Sequence, residues 1–226
     1  MICDLHRRHF ILTTAAGTLT GLCAPAAMAQ QAGKAQAPAR EARRILVLGD
    51  SLSAEYGLAR GTGWVALLEK RLAQEKIAAS VVNASVSGET TSGGRSRLAA
   101  LLAQHQPSVV VLELGGNDAL RGLPLKNTQE NLAWMVETAQ KAGAKVLLVG
   151  MQVPPNYGTD YANRFTATFA DVAKARKVAL VPFFLKGVAD GTDPTRLFQP
   201  DRIHPRAEAH PQMLANVWPE LQKLLR

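Results

Sequence analysis

Cysteine is nearly absent from this 226-residue sequence, since Cys3 and Cys23 are its only two and both lie within the first 29 residues. The rest of the chain therefore has no thiol for a disulfide, a nucleophile or a metal site. Aromatic residues make up only 5% of the chain, and no run of five basic residues occurs despite a net charge of +8. Because nucleic-acid binding uses clustered cations and aromatic side chains, we expect no nucleic-acid partner.

The sequence also lacks a hydrophobic run long enough to span a membrane, which needs about 20 apolar residues. The nearest candidate follows Arg7 and Arg8; it is diluted by Thr and Gly and ends in the small-residue pattern AMA at 27–29. This pattern predicts a signal peptide over residues 1–29, cleaved before Gln30, and the arginine pair resembles the twin-arginine export motif. We expect a periplasmic or secreted protein without stable membrane insertion, exported by that route or by the general secretory route.

Residues 30–43 are rich in Ala, Gln and Lys and are predicted to be a disordered leader, whereas residues 44–226 have the length of one domain. Five short apolar runs occur in this domain: ILVL at 45–48, SVVNA at 80–84, VVVLEL at 109–114, KVLLVG at 145–150 and VALVPFF at 178–184. Between them, apolar residues at helical spacing predict helices, for example over 64–74 and 131–141. Continuous apolar strands that alternate with helices predict a parallel sheet covered on both faces, a three-layer α/β/α domain.

Polar residues follow four of these runs at the point where each strand ends. They are Gly49-Asp50-Ser51, Ser87-Gly88-Glu89-Thr90, Gly115-Gly116-Asn117-Asp118 and, in a long loop after the fifth run, Asp201-Arg202-Ile203-His204. Parallel α/β sheets bind ligands outside the carboxyl ends of their strands, so we expect the four groups to meet at one edge of the sheet.

Ser51, at the end of a buried strand, is either a helix cap or a nucleophile. A nucleophilic serine needs a base, and only three histidines follow residue 29. His105 precedes the third strand and therefore belongs to the opposite edge of the sheet. His210 lies six residues after His204, on a different face of the predicted last helix, and this spacing also disfavours a zinc site.

His204 is the expected base. Pro205 holds its backbone extended and is expected to be the first residue of the final helix. Asp201, in the same loop, can accept a hydrogen bond from the Nδ1–H of His204 and stabilise the charged ring. Asp50 is disfavoured as the acid because its side chain should diverge from that of its neighbour Ser51. The alternative for Asp201 and His204 is an ordinary loop ion pair.

Acyl transfer also needs hydrogen-bond donors for an oxyanion. Gly88 can bring its backbone N–H close to a substrate because it has no side chain. Asn117 offers a side-chain amide, and Ser51 offers its own N–H at an expected helix start. The alternative for the Gly-Gly-Asn-Asp segment is a simple turn.

Taken together, the blocks GDSLS, SGET, GGND and DRIH resemble the GDSL family of SGNH hydrolases, and ILVLGDSLSAEYG is similar to its bacterial periplasmic thioesterase I, lysophospholipase and arylesterase subgroup. This resemblance implies a flavodoxin-like fold, a triad of Ser51, Asp201 and His204, and an oxyanion hole of Ser51, Gly88 and Asn117. No cofactor and no metal are implied. One residue departs from the subgroup pattern: Arg202 stands where a glycine is expected between the acid and the base.

We therefore expect a secreted serine esterase that hydrolyses small-molecule carboxylic esters and thioesters of short to medium acyl chains through an acyl-enzyme. The alternatives are a carbohydrate O-acetyl esterase and a non-catalytic protein that binds an anion at its Gly-rich strand ends. In the loops after the third and fourth strands, Leu120, Leu123, Val153 and Pro154 are expected to line the acyl groove. Otherwise these four residues only pack on the helices beneath them.

Overall fold

Five parallel strands form the centre of the fold in the computed structural model, which describes residues 43–226. The strands are β1 (Arg43–Gly49), β2 (Ala79–Asn83), β3 (Val109–Glu113), β4 (Lys145–Val149) and β5 (Ala179–Val181). Their order across the sheet is β2-β1-β3-β4-β5, the flavodoxin-like arrangement. The predicted signal peptide and nearly all of the predicted leader lie outside the described residues.

Within residues 43–226, the sheet is accompanied by six α-helices: α1 (Trp64–Gln74), α2 (Thr91–His105), α3 (Gly116–Leu120), α4 (Leu125–Lys141), α5 (Thr159–Arg176) and α6 (His210–Leu224). Helix α1 packs against α6, and α4 packs against both α2 and α5, which gives the two outer layers. The predicted three-layer α/β/α fold is confirmed. Among the described helices, none combines the length and the apolar character that crossing a membrane requires.

The apolar parts of β1 and β3 are completely buried, which explains their continuous apolar sequence. Residues Ile45 to Leu48 of β1 and Val109 to Leu112 of β3 are at most 1% exposed, and β1 pairs with β2 on one side and with β3 on the other. After β1 the chain forms β2 on one side of that strand, and it then forms β3 on the other side. The carboxyl end of β1 is therefore the switch point, where open α/β sheets bind ligands.

Three local expectations are wrong. Helix α6 begins at His210, with Pro211 in its first turn, and not at Pro205. Pro205 instead pairs with Phe198 in an isolated antiparallel bridge, and its carbonyl accepts a hydrogen bond from the Gln199 side chain (3.1 Å). The segment after β3 is not a loop throughout, because α3 begins at once and includes Leu120. Third, Ser51 does not start a helix, because residues 51–57 form a turn.

Candidate active site

Ser51 lies in a tight turn directly after β1. Residues 51–57 form this turn, and the first helix begins only at Trp64, so the expectation that Ser51 starts a helix is wrong. Gly49 makes the turn possible, because a Cβ there would lie 2.7 Å from both Glu113 Oε2 and Ser53 Oγ. The turn holds Ser51 at the carboxyl edge of the sheet, largely buried.

The structure brings Ser51, His204 and Asp201 into one hydrogen-bonded chain. His204 Nε2 lies 3.0 Å from Ser51 Oγ, and His204 Nδ1 lies 2.6 Å from Asp201 Oδ2. The other oxygen of Asp201 accepts the backbone N–H groups of Ile203 and His204, both at 3.0 Å. A hydroxyl, an imidazole and an orienting carboxylate in this order can generate a serine nucleophile.

The surroundings of Asp201 keep its carboxyl group ionised. Partial burial pushes the pKa of Asp201 upward, but its hydrogen bonds to the His204 ring and to the backbone N–H groups of His204 and Ile203 outweigh that effect and lower the pKa to about 2. An ionised Asp201 favours the His204 tautomer with a proton on Nδ1. Nε2 is then free to accept the Ser51 proton.

Gln199 ties the loop of the base to the turn of the nucleophile, which sequence reasoning missed. Its backbone N–H donates to His204 O (2.7 Å), and its side-chain amide donates to Tyr56 O (2.9 Å). Gly57 has a φ of +70°, and a Cβ there would overlap the Gln199 amide oxygen. The Tyr56 ring lies against the His204 ring, with 4.3 Å between centroids. No local sequence pattern marks these long-range contacts.

Two of the three expected oxyanion donors have no hydrogen-bond acceptor among the described residues. Within residues 43–226, neither the Ser51 N–H nor the Gly88 N–H donates a hydrogen bond to another protein group. The Val86 N–H donates to Gly49 O (3.0 Å), which brings the Gly88 loop beside the nucleophile turn. Gly88 has a φ of +79°, a conformation that favours glycine.

Asn117, the third expected donor, is already engaged. It lies at the start of α3, directly after β3, and its Nδ2 donates to Asp50 Oδ2 and to Glu89 O, both at 3.0 Å. The amide therefore lies in the expected region of the site. To contact a substrate oxygen, it must share or exchange one of these two bonds.

The four residues expected to line an acyl groove differ in exposure. Leu120 is 48% exposed, Pro154 is exposed and Leu123 is half-buried. Val153 is half-buried and packs against the hydrophobic core, as in the alternative interpretation. Among the described residues, the large hydrophobic side chains that remain exposed are Tyr56, Val86, Leu120 and Ile203. All four flank segments that carry Ser51, Gly88, Asn117 or His204, and we call them the apolar rim.

Comparison with known proteins assigns this arrangement to a family. The model of the GDSL-like lipase/acylhydrolase family matches residues 47–211. The chain belongs to this family. It is 50% identical over 207 residues to the esterase TesA of Pseudomonas aeruginosa, covering 92% of this chain and 98% of that protein. As a GDSL-like hydrolase, it cleaves ester bonds.

Two further likenesses support the same assignment. The thioesterase 1/protease 1/lysophospholipase L1 of Escherichia coli (strain K12) is 42% identical over 187 residues, covering 83% of this chain and 87% of that protein. A crystal structure of TesA superimposes with a TM-score of 0.77 at 52% identity, covering 80% of this chain and 99% of that one. The predicted family and fold are confirmed.

Beneath the nucleophile of this GDSL-like hydrolase lies a buried pair of carboxyl groups, Asp50 and Glu113, which are 3% and 2% exposed. Glu113 Oε2 accepts the Ser53 hydroxyl (2.7 Å) and the Asp50 N–H (3.3 Å), and Trp64 Nε1 donates to Ser53 Oγ (3.1 Å). Sequence reasoning treated Glu113 as part of an apolar run. The sequence signal that could have revealed this pair is the ionisable Glu113 at the end of an otherwise apolar strand.

Burial raises the pKa of both carboxyl groups of this pair. Burial raises the pKa of Glu113 well above its usual value, and the charge of Asp50 raises it further. Burial also raises the pKa of Asp50 to about 6, although the Leu52 N–H, His204 and Asn117 pull it down. Burial therefore disfavours the charged form of both carboxyl groups, whereas the Asn117 amide that faces Asp50 favours the charged form of Asp50.

Replacing Glu113 with Gln is expected to flatten the dependence of stability on pH. A carboxyl group with a raised pKa in the folded state stabilises the fold at low pH, and this contribution is lost as the pH rises toward that pKa. As the pH rises from the usual glutamate pKa of 4.5 toward the raised pKa of Glu113, the free energy of unfolding of the wild type should therefore fall relative to that of Glu113→Gln, by at most about 1.4 kcal/mol per pH unit. Urea unfolding of both proteins across this range measures the difference.

The control is Glu130→Gln, which changes an exposed glutamate on α4 and should retain the wild-type pH dependence. Parallel stability curves for the wild type and Glu113→Gln would mean that Glu113 is ionised in the folded protein.

Within the described residues, neither of the other two histidines after residue 29 forms a hydrogen bond with Ser51. His105 ends α2, and His210 is buried at the start of α6, where its Nδ1 accepts the Trp64 N–H (3.0 Å). This bond satisfies a free N–H at the start of α1, and burial lowers the pKa of His210. In the described part of the chain, no group of three or more His, Cys, Asp or Glu residues is arranged to hold a metal ion.

Proposed function

We propose that this hydrolase is a serine esterase that cleaves carboxylic ester and thioester bonds of short to medium acyl chains through an acyl-enzyme on Ser51. The observation that carries the proposal is the chain of contacts from Ser51 Oγ to His204 Nε2 and from His204 Nδ1 to Asp201. An ordinary loop ion pair would not require the ring to face a serine at the end of β1. The names of the esterase and thioesterase relatives support the same substrate class.

The same residues act in both half-reactions, the acylation and the deacylation of Ser51. His204 Nε2 takes the Ser51 proton as Oγ bonds to the carbonyl carbon, and the negative oxygen is held by the N–H groups of Ser51 and Gly88 and by the Asn117 amide. The bond to the leaving oxygen or sulfur then breaks, and the proton on His204 passes to it. Water attacks the acyl-enzyme with His204 again as the base, releasing the acid and restoring Ser51.

A fluorophosphonate probe tests the proposal, because such reagents phosphonylate only an activated serine. The wild type is expected to gain the mass of one phosphonyl group on the peptide that contains Ser51. Ser51→Ala should not react, whereas Ser92→Ala, which alters an exposed serine on α2, should react like the wild type. The anion-binding alternative predicts a folded protein that remains unlabelled.

Acyl-chain preference is expected to rise from acetate to a chain of middle length. The apolar rim and Leu123 lie on the segments around Ser51, and each methylene buried there contributes about 0.8 kcal/mol, or roughly fourfold in kcat/KM. A series of p-nitrophenyl esters from acetate to palmitate measures the profile. Leu120→Asp, at an exposed position, and Leu123→Asp should both flatten it.

The control for these variants is Gln129→Asp, which adds the same charge at an exposed position on α4. If acetate is the best substrate and each longer chain is slower, the groove is absent. The carbohydrate O-acetyl esterase then becomes the better assignment, and acetylated oligosaccharides should be cleaved faster than aryl acetates.

We also propose export to the periplasm or beyond, on the pattern of residues 1–29 alone. The exported protein is expected to have an intact mass that begins at Gln30. Replacing Arg7 and Arg8 by Lys should leave the precursor in the cytoplasm. Normal export of this double variant would assign the protein to the general secretory route.

A further inference from the structure

Two hydrogen bonds join the base loop, residues 198–205, to the turn of the nucleophile in the described part of the chain. The first is the contact between His204 Nε2 and Ser51 Oγ (3.0 Å). The second is the bond that the Gln199 side-chain amide donates to Tyr56 O (2.9 Å). Tyr56 belongs to the turn, and its N–H donates to Ser51 O (3.3 Å). Gln199 is therefore linked through Tyr56 to the backbone of the nucleophile.

Gln199 also holds the backbone of the base itself. Its backbone N–H donates to His204 O (2.7 Å), and its side-chain Nε2 donates to Pro205 O (3.1 Å) in addition to Tyr56 O. One side chain therefore contacts the residue after the base and the turn of the nucleophile at the same time. Both acceptors are carbonyl groups, so the two bonds require a donor with two hydrogens, which the amide nitrogen of glutamine has.

Core packing fixes the two ends of the base loop but not its tip. Phe198 and Pro205 pair in an antiparallel bridge that closes the loop, and both residues are buried. Residues 200–203 at the tip are exposed, so packing against the core does not hold them in place. The distance between the base and the nucleophile therefore depends on the two hydrogen bonds from the loop to the turn.

Asp201 acts on the orientation of the ring and not on the position of the loop. Its carboxylate binds His204 Nδ1 (2.6 Å) and the N–H groups of Ile203 and His204, all of which belong to the same loop. The Tyr56 ring packs against the His204 ring, with 4.3 Å between centroids, and also supports its orientation. Neither contact replaces the hydrogen bond by which Gln199 ties the loop to the turn.

The contact between the base and the nucleophile is lost in the second half of the proposed reaction. In the acyl-enzyme, Ser51 Oγ is bonded to the carbonyl carbon and has no proton to donate to His204 Nε2. A water oxygen must then bond to this carbon while Nε2 takes a proton from the water. The bond from the carbon to Oγ breaks as that proton passes from Nε2 to Oγ. Throughout this step, the bond from Gln199 to Tyr56 O still connects the base loop to the turn.

We propose that Gln199 is a positioning residue that keeps His204 beside the acyl-enzyme during deacylation, when the hydrogen bond to Ser51 has been lost. The inference rests on the proposed function, since it concerns the acyl-enzyme on Ser51. Acylation should depend less on Gln199, because the Ser51 hydroxyl then holds the base through its own hydrogen bond. A catalytic group that lies about 1 Å from its working position can lose about a hundredfold in rate.

Gln199→Met tests the proposal, because it retains the length of the side chain and removes both N–H donors. With p-nitrophenyl butyrate, kcat/KM reports acylation alone, since p-nitrophenol leaves in that half-reaction. The rate constant of deacylation is kcat divided by the fraction of enzyme that carries a butyryl group at saturating substrate, which intact mass measures in acid-quenched samples. Gln199→Met is expected to lower this rate constant by roughly tenfold and kcat/KM by less than about threefold.

Gln140→Met is the matched control. Gln140 lies in the last turn of α4, and its Nε2 donates to Arg176 O (3.0 Å) where β4 and β5 begin, at the edge of the sheet opposite Ser51. The same replacement therefore removes a bond of the same kind, and it should leave acylation and deacylation at wild-type rates. If Gln199→Met does not fold, Gln199→Glu is measured instead. It keeps the shape of the side chain with an oxygen in place of the donor and should slow deacylation at least as much.

Three results would overturn the inference while leaving the esterase assignment intact. They are a deacylation rate constant in Gln199→Met within about twofold of the wild type, a loss of kcat/KM as large as the loss in deacylation, and an equal slowing of deacylation in Gln140→Met. If the wild type neither hydrolyses the ester nor gains a butyryl group on Ser51, the proposed function fails together with this inference.

Discussion

Replacing either Ser51 or His204 with Ala is expected to lower kcat/KM for p-nitrophenyl butyrate by roughly 10⁵-fold to 10⁶-fold. A nucleophile and its base act as a unit, so removal of one leaves only binding and oxyanion stabilisation. The double variant should therefore lose no more activity than either single variant. His105→Ala and Ser92→Ala, which alter the same residue types away from the site, should retain wild-type rates.

Replacing Asp201 should reduce kcat/KM by roughly tenfold to a hundredfold less than replacing Ser51 or His204 does. Asp201 orients the ring and stabilises its charge without reacting itself. The structure adds a distinction between two replacements. Asp201→Ala removes the acceptor for the N–H groups of Ile203 and His204 and loosens the loop, whereas Asp201→Asn retains an oxygen for them. Asp201→Asn should therefore melt close to the wild type, yet lose activity because its amide favours the wrong tautomer of His204.

Two outcomes would contradict this account. Full activity in a folded Ser51→Ala protein would exclude Ser51 as the nucleophile. If the losses in Ser51→Ala and His204→Ala multiply in the double variant, the two residues do not act in the same step, and the hydrogen bond between them in the resting protein has no catalytic meaning.

The edge of the sheet at which most candidate site residues lie can be predicted from the sequence, because all strands of a parallel sheet end at the same edge. Ser51 and Asn117 each follow a central strand of a parallel sheet, and all such strands end at one edge. Gly88 lies in the connection after β2, the neighbour of β1, so it reaches the same edge. For these residues, chain order and strand direction are sufficient to predict the edge of the sheet at which they lie.

What the sequence could not provide are contacts made by side chains across long stretches of chain. Gln199 binds Tyr56 over a separation of 143 residues, and Glu113 binds Ser53 over 60. Neither contact has a local pattern, since each depends on how a loop returns to the sheet. The expectation that Pro205 starts the last helix was wrong for a related reason. Pro205 instead pairs with Phe198, which the local sequence does not indicate.

Asn117 carries the second large prediction, in which Asn117→Ala lowers kcat by roughly 10² to 10³ with little change in KM. An amide that binds the oxyanion acts mainly on charge that appears in the transition state, so its loss affects turnover more than substrate binding. Asn127→Ala, at an exposed position on α4, serves as the matched control and should behave like the wild type.

The contact between Asn117 and Asp50 makes this experiment more demanding than a single substitution. Removing the amide also deprives the buried Asp50 carboxylate of a donor, so part of the loss could come from a disturbed nucleophile turn. Asp50→Asn separates the two effects, because it changes the partner of Asn117 while leaving the Asn117 amide in place. If the amide acts on the oxyanion, Asn117→Ala should reduce kcat far more than Asp50→Asn does, even where both melt at similar temperatures. Equal losses in both variants, or a lower melting temperature with normal kcat in Asn117→Ala, would make Asn117 a support for Asp50 and leave the oxyanion to the N–H groups of Ser51 and Gly88.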